Sequence, residues 1–349
     1  MSADYWTSSQ RKQWQFTRES LKTTRKELKL LQRSLEETGT ISRAPIEYNI
    51  FMRIYIHSLI NKLGRRLAIR QVALSTAEVY LMRFLTRVSL KEINIYLLVT
   101  TSIYLACKLE ECPQHIRTIN AEARNLWPEY IPHDATKVAE FEFYLIEELD
   151  TYLIVHHPYK SLLTMDEVLL RFNQRLNSGS GNINSPMNIM SSSATSAIPE
   201  STAPTGSKQT YALTPEELQT CWSIINDSYV TDLPLLYPPH IVASAAIYLT
   251  IVLKHTHIQQ LRQNALNSQA QNLGATNSAS HVAALNNLNN AIKSETHQNY
   301  INFLGRSNID IEEVVEAVQE MITLYEAWES YDESKCRKTL EVILLNRSV

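Results

Sequence analysis

The segment SIYLACKLEECP, Ser102–Pro113, is an apolar helical run that ends in a lysine and two glutamates before a proline stops it. Far along the chain, AIYLTIVLK at Ala246–Lys254 repeats the apolar half at an offset of 144 residues and drops the charged half. The two segments indicate a duplicated helical unit. They also raise the question of which groups pair with the charged side chains of the first copy.

The composition allows a chain of this length to form one large or two ordinary domains. It has 349 residues, 44% of them hydrophobic, and only seven glycines, which favours helices over β architectures built on glycine turns. A net charge of −3 provides no global basic field, so neither nucleic acid nor an anionic membrane is expected as a partner. No apolar run approaches the roughly 18 residues of a membrane span, and no secretory signal is visible, so we expect a soluble intracellular protein.

The cysteine and histidine patterns give no catalytic, metal or cofactor site. The four cysteines contain no C-x-x-C pair, which disfavours a disulfide framework or a zinc ribbon. The pair His156-His157 lacks HExxH spacing and an acidic partner. The sequence also lacks the nucleophile-elbow, phosphate-loop and dinucleotide motifs, so we expect no enzymatic activity.

Helical periodicity predicts an all-α fold of two tandem five-helix units. Five helical patterns run from residue 45 to 155 without strand alternation, and a second set runs from 156 to 332. The third helix of each set is the most apolar. A repeat this long is not a solenoid, because solenoid periods are about 20–50 residues.

Four further segments flank or interrupt these units. Residues 1–44 form a leader and one helix over 11–36, with an apolar seam of Trp14, Leu21, Leu28 and Leu35. Residues 177–210 and 259–299 are rich in small polar residues and are predicted to be disordered insertions. Residues 333–349 are predicted to be a C-terminal tail.

Two five-helix repeats with a lysine ending the first central helix resemble the tandem cyclin boxes of the cyclin family. The resemblance narrows to the cyclin C group, the cyclins of the Mediator kinase module, in its fungal form. Five fragments in the same order carry it: YWTSSQRKQW at Tyr5, ACKLEE at Ala106, LIVHHPYKSLL at Leu153, INDSYVTDLPLLYPP at Ile225 and LYEAWESYDE at Leu324. It implies a regulatory subunit that binds and activates a Mediator-associated cyclin-dependent kinase and acts in the nucleus on RNA polymerase II transcription.

Lys108 and Glu142 are predicted to pair near the surface of the first box. Lys108 ends an apolar row of its helix, and Glu142 interrupts the apolar face of the fifth helix. Isolated buried charges are costly, so the two should approach each other. An internal salt bridge with no further role remains an alternative. The resemblance implies kinase contacts at both residues and at the neighbours Leu105, Leu109, Glu111 and Ile116, whereas the second repeat has Val252 in place of Lys108.

A second binding surface is predicted at Trp6, Asn226 and Asp227. Trp6 lies in a polar leader, and Asn226-Asp227 interrupts the apolar row of Trp222, Ile225 and Tyr229. We expect a groove for another subunit of the Mediator kinase module. The alternative is an N-terminal anchor beside a solvated helix face.

Two other protein classes stay open. One is a cyclin of a different transcriptional kinase, which only the flanking motifs would separate. The other is a DNA-binding general transcription factor with the cyclin fold, although that class carries a zinc ribbon and basic repeats that are absent here. The basic run Arg18, Lys22, Arg25, Lys26 and Lys29 is interpreted as a solvated helix face.

Overall fold

The computed structural model describes residues 4–41, 43, 46–177, 212–254 and 297–345. These residues form helices and contain no β-strand, in agreement with the predicted all-α class. The predicted insertions lie almost wholly outside the described residues. Chain contacts define two compact units, one of Met1–Pro158, Ile224–Val242 and Glu316–Val349, the other of Tyr159–Ser223 and Ala243–Val315. The cyclin-box boundaries at 45–155 and 156–332 follow the helix repeat and stay a prediction.

The first five-helix set has the predicted number and order of helices. It comprises α3 (Ile50–Arg66), α4 (Gln71–Phe84), α5 (Ile95–Leu109), α6 (Ile116–Leu126) and α7 (Thr136–Glu148). Asn49 and Asn94 cap α3 and α5 by accepting hydrogen bonds from backbone N–H groups of the first turn. Helix α5 packs against α3, α4, α6 and α7, and its residues Leu98, Val99 and Ile103 are fully buried. The helix that carries Lys108 is therefore the central helix of this set.

Helices α3 and α4 approach closely at a glycine. A Cβ at Gly64 would lie 2.6 Å from Cδ2 and 2.7 Å from Cδ1 of Leu74. Glycine at this position lets the leucine side chain pack directly on the α3 backbone.

The N-terminal segment forms two helices rather than the single helix predicted over 11–36. Helix α1 (Ser9–Gln13) ends at Trp14, and α2 (Arg18–Glu37) starts after Thr17, whose hydroxyl and Ser20 form a reciprocal capping box. The break lets Trp14 leave the seam and enter the core, where its side chain is 2% exposed.

The second set has helices α8 (Pro158–Asn177), α9 (Pro215–Ser228), α10 (Leu233–Leu236), α11 (239–254), α12 (297–306) and α13 (Ile311–Glu329). Stacked rings join α8 and α9, with the centroids of Tyr159 and Trp222 4.4 Å apart. The Tyr300 hydroxyl of α12 donates to the Ser244 carbonyl of α11 at 2.9 Å. The weak pattern at 297 is therefore a real helix that packs into this core.

The predicted tail at 333–349 is helical over its described part. Helix α14 (Glu333–Leu345) contributes Cys336 and Leu340 to the core that also holds Tyr55 and Tyr96. Burial of these two side chains holds α14 against the first five-helix set, because each removes apolar surface from water.

Candidate functional site

Lys108 and Glu142 form an ion pair between the last turn of α5 and the middle of α7. The lysine Nζ donates to both carboxylate oxygens, at 2.8 Å to Oε1 and 2.9 Å to Oε2. The lysine side chain is 40% exposed and the glutamate side chain 11%. The predicted pairing is confirmed, and its role in docking a kinase stays a prediction.

The Lys108 ammonium is held on two sides yet remains accessible. It lies 4.3 Å from the centroid of the Tyr104 ring. Burial alone would lower the pKa of Lys108, but the hydrogen bonds to Glu142 and Tyr104 outweigh it and raise the pKa above its ordinary value. The lysine is therefore charged at neutral pH. An ammonium has three donors and a carboxylate about four acceptor sites, so the pair keeps hydrogen-bonding capacity for a partner.

Exposed apolar side chains adjoin both members of the pair. Leu109 follows Lys108 and is 39% exposed, and Phe143 follows Glu142 and is 75% exposed. Ile116 is half-buried, and Glu111 is exposed with a left-handed backbone, φ +53°. The prediction that Leu105 contacts the kinase conflicts with its burial, because the side chain is 2% exposed and packs in the core. The exposed apolar side chains beside the pair are those of Leu109 and Phe143.

The segment after α7 exposes two more apolar side chains, Tyr152 at 38% and Ile154 at 63%. Side chains of α4 fix its backbone. Tyr80 donates to the Leu153 carbonyl at 2.5 Å, and Arg83 donates to the Tyr152 carbonyl at 3.0 Å.

Arg83 is itself almost fully enclosed, with 1% exposure. Burial lowers the pKa of its guanidinium to about 10, so it stays charged at neutral pH. Its guanidinium carbon lies 5.1 Å from the Trp14 ring centroid. This enclosed cation thus connects the N-terminal segment to the exposed segment after α7.

Phe143, Tyr152 and Ile154 are absent from the sequence-based site. The signal that could have found Phe143 is the run FEFYLI, whose apolar and aromatic side chains point in too many directions to face one core, so some of them must remain uncovered or find a partner. The exposure of Tyr152 and Ile154 depends on the path of the chain after α7, which the sequence pattern does not show. Asp150 and Thr151 adopt left-handed backbone there, with φ +51° and +60°.

The second set also carries an ion pair at the end of its central helix, contrary to the expected loss of charge. Lys254 Nζ lies 2.8 Å from Glu217 Oε1, with side-chain exposures of 44% and 13%. Glu217 Oε2 accepts from the Thr214 backbone N–H at 2.7 Å, so this carboxylate also caps α9. The two ion pairs have the same N···O distance and similar side-chain exposures. They differ in their hydrogen bonds, because both oxygens of Glu142 accept from one lysine, whereas one oxygen of Glu217 accepts from Lys254 and the other from the Thr214 N–H.

The residues of the second predicted surface have different partners. Trp6 is 57% exposed and lies edge-on to Tyr5 and 5.7 Å from the His240 ring. Asp227 accepts from the Tyr325 hydroxyl at 3.1 Å, and burial raises the pKa of its carboxyl group. Asn226 is half-buried. Within the described residues, no hydrogen bond or ring contact joins Trp6 to Asp227.

His157 is a hydrogen-bonded structural residue. Its Nδ1 lies 2.6 Å from the Tyr229 hydroxyl and its Nε2 2.7 Å from the Thr76 hydroxyl. Burial, with the nearby charges of Arg83 and His156, lowers the pKa of His157 to about 3. The described residues contain no group of His, Cys, Asp or Glu arranged to hold a metal ion. None of their helices combines the length and apolarity that crossing a bilayer requires.

Comparison with known proteins shows the family of this chain. Residues 22–154 match the family model "Cyclin, N-terminal domain". The chain is 47% identical to the RNA polymerase II holoenzyme cyclin-like subunit of Scheffersomyces stipitis over 100% of both chains. Identity is 46% to that of Debaryomyces hansenii, over 100% of both chains. It is 42% to that of Yarrowia lipolytica, over 99% of this chain and 100% of the relative. The chain therefore belongs to the cyclin family, among the RNA polymerase II holoenzyme cyclin-like subunits of the cyclin C type.

Proposed function

We propose that this chain is the regulatory subunit that binds and activates the cyclin-dependent kinase of the Mediator kinase module, and that it regulates RNA polymerase II transcription in the nucleus. Its relatives bear the name of holoenzyme cyclin-like subunits. The observation that carries the proposal is the half-exposed pair Lys108–Glu142, bordered by the exposed side chains of Leu109 and Phe143.

The free energy of docking must come mostly from the apolar side chains. An ion pair as exposed as Lys108–Glu142 contributes about 0–1 kcal/mol. Moving a kinase from about 1% to about 99% active takes roughly 5.5 kcal/mol of differential binding. At about 25 cal/mol per Å², that free energy corresponds to roughly 220 Å² of apolar surface removed from water only in the active arrangement. Phe143 and Ile154 are the side chains exposed enough to supply much of it.

The ion pair then fixes the register of the partner. A kinase becomes active when its regulatory helix turns inward and a helix glutamate pairs with the lysine that positions ATP. Lys108 can donate to a backbone carbonyl and Glu142 can accept from a backbone N–H of that helix or its flanking loop. The chain supplies no catalytic group to this step. It acts by binding one conformation of the kinase more tightly than the other.

Affinity purification of the tagged chain tests the proposal. A cyclin-dependent kinase and further subunits of the Mediator kinase module should co-purify, and the kinase should phosphorylate substrate only when the chain is bound. Recovery of a different transcriptional kinase would support the alternative cyclin assignment. Recovery of promoter DNA without a kinase would support the general transcription factor.

We propose a second partner surface at Trp6, Asn226 and Asp227, for another subunit of the kinase module. An indole that is 57% exposed supports it, because tryptophan is enriched at protein interfaces. The double variant Trp6→Ala with Asp227→Ala should retain kinase binding and lose assembly with the other subunits. Equal loss of both activities would contradict a separate surface.

A further inference from the structure

Six cations lie on one face of helix α2. Arg18, Lys22, Arg25, Lys26, Lys29 and Arg33 follow each other at spacings of three, four or one. At 100° per residue these positions fall within about 100° of arc, and they extend along roughly 22 Å of helix. From sequence, the first five of these residues are interpreted as a solvated helix face.

In the structure this face forms one wall of two adjoining open cavities. One cavity, of about 500 Å³, runs from Arg18 to Lys29 against Tyr48 and Arg53. The other, of about 460 Å³, runs from Arg25 to Glu36 against Arg43 and Lys91. We call the two together the basic groove. Its lining contains nine Lys and Arg residues and three acidic residues, Asp232, Glu36 and Glu47. A groove of this charge stands out on a chain whose net charge is −3.

The acidic residues fix part of the groove and leave other cations available. Asp232 Oδ1 pairs with Arg25 Nη2 at 2.5 Å and with Arg53 Nη1 at 2.7 Å, which holds both guanidinium groups in place. Glu36 Oε1 pairs with Nζ of the nearly buried Lys91 at 2.8 Å. In the described part of the chain, exposed Lys22 and Lys26 have no ion-pair partner, and Arg43 hydrogen-bonds only to the Glu36 carbonyl. Arg18 is paired with Glu316 and Glu320, and Lys29 with Glu47, so Lys22 and Lys26 are the cations in that part of the groove left to bind a phosphate.

We propose that the basic groove binds a phosphorylated peptide segment, with the phosphate held by Lys22 and Lys26. This inference rests on the proposed function, because a kinase bound to this chain would generate such segments. The groove would then retain a phosphorylated substrate and favour further phosphorylation of the same chain.

The groove suits a phosphopeptide better than a nucleic acid. Single-stranded nucleic acids bind through base stacking on exposed aromatic rings in addition to backbone charge. Tyr48 is the aromatic side chain of the groove lining. Its ring is covered by Arg53, whose guanidinium carbon lies 4.9 Å from the ring centroid. A base could not stack on that face of the ring.

Fluorescence anisotropy on the purified full chain tests the inference without the kinase. The probes are a 12-residue peptide with two phosphoserines, the same peptide with serines, the same peptide with glutamates, and a single-stranded RNA. The phosphopeptide should bind at least about tenfold more tightly than the others, and Lys22→Glu with Lys26→Glu should abolish the difference. Lys160→Glu with Lys338→Glu changes two exposed lysines outside the groove by the same charge and should bind like wild type.

Several results would overturn the inference: equal binding of all peptides, tighter binding of RNA or of the glutamate peptide, or an unchanged Kd in the Lys22→Glu, Lys26→Glu variant. Circular dichroism of that variant checks that it folds, which is expected because neither lysine has an ion-pair partner in the described part of the chain. Kinase association measured on the same variant should stay at the wild-type level. Failure of the wild-type chain to associate with any kinase, with phosphopeptide binding as expected, would instead count against the proposed function and not against the groove.

Discussion

Lys108 pairs with both carboxylate oxygens of Glu142, yet the lysine is 40% exposed and the glutamate 11%. The two members therefore depend on each other unequally. Without its lysine the more buried carboxylate loses its compensating charge, whereas without the carboxylate the lysine can still be hydrated.

We expect Lys108→Met to lower the free energy of unfolding by about 1 kcal/mol and Glu142→Gln to lower it by less. The coupling energy of the double-mutant cycle should stay below about 1 kcal/mol, since the pair is partly exposed. Urea unfolding of the four proteins measures these values. A coupling of several kcal/mol would mean that the pair exists chiefly for stability, which is the structural alternative to docking.

Arg83→Ala tests how the segment after α7 is held. The substitution removes the hydrogen bond to the Tyr152 carbonyl and the contact with Trp14. The free energy of unfolding should fall by about 2–4 kcal/mol, because packing and a buried hydrogen bond are both lost. Arg65→Ala, at an exposed position of α3, is the control and should change it by less than about 0.5 kcal/mol. Similar unfolding midpoints for the two variants would contradict the anchoring role.

His157 should make the fold sensitive to acid. Its pKa is about 3 in the folded chain and 6.5 ordinarily, so below pH 6.5 the unfolded chain binds a proton that the folded chain does not. Its contribution to stability is present above pH 6.5 and is lost as the pH falls toward 3. The loss amounts to up to roughly 1.4 kcal/mol per pH unit.

The measurement is the free energy of unfolding between pH 7 and pH 4. His157→Gln should flatten the dependence of the free energy of unfolding on pH. An equally steep loss in the His157→Gln protein would show that other groups cause the acid sensitivity.

Periodicity was sufficient to predict the first five-helix set, because its helices are strongly apolar and Pro113 stops the third of them. The break between α1 and α2 was missed because the heptad seam through Trp14 continues across it. The Thr17–Ser20 capping box, a local polar interaction, ends that continuity. Helix α14 was missed because its first half, ESKCRKT, is mostly polar and charged, and only the structure shows that Cys336 and Leu340 pack in a core.

The pair at the site was predictable and its surroundings were not. Lys108 and Glu142 both interrupt apolar rows, and the cost of isolated charge requires that they meet. Phe143 and Leu105 could not be ranked from sequence, because both are large apolar residues on apolar helices. Only the packing of α5 and α7 places Leu105 inside and leaves Phe143 75% exposed. The pair Lys254–Glu217 was overlooked because Glu217 lies in the polar first turn of α9, where it is expected as a cap and does not interrupt an apolar face.

That second pair provides the matched control for kinase docking. Its length of 2.8 Å and its exposures of 44% and 13% correspond closely to those of Lys108–Glu142. The decisive measurement compares two double variants, Lys108→Ala with Glu142→Ala and Lys254→Ala with Glu217→Ala. For each, the Kd for the co-purifying kinase is measured, together with the activity of the kinase at saturating cyclin. We expect at least about tenfold weaker binding for the first variant and a Kd within about twofold of wild type for the second. Equal Kd values for the two variants would contradict the assignment of Lys108 and Glu142 as the kinase-docking pair.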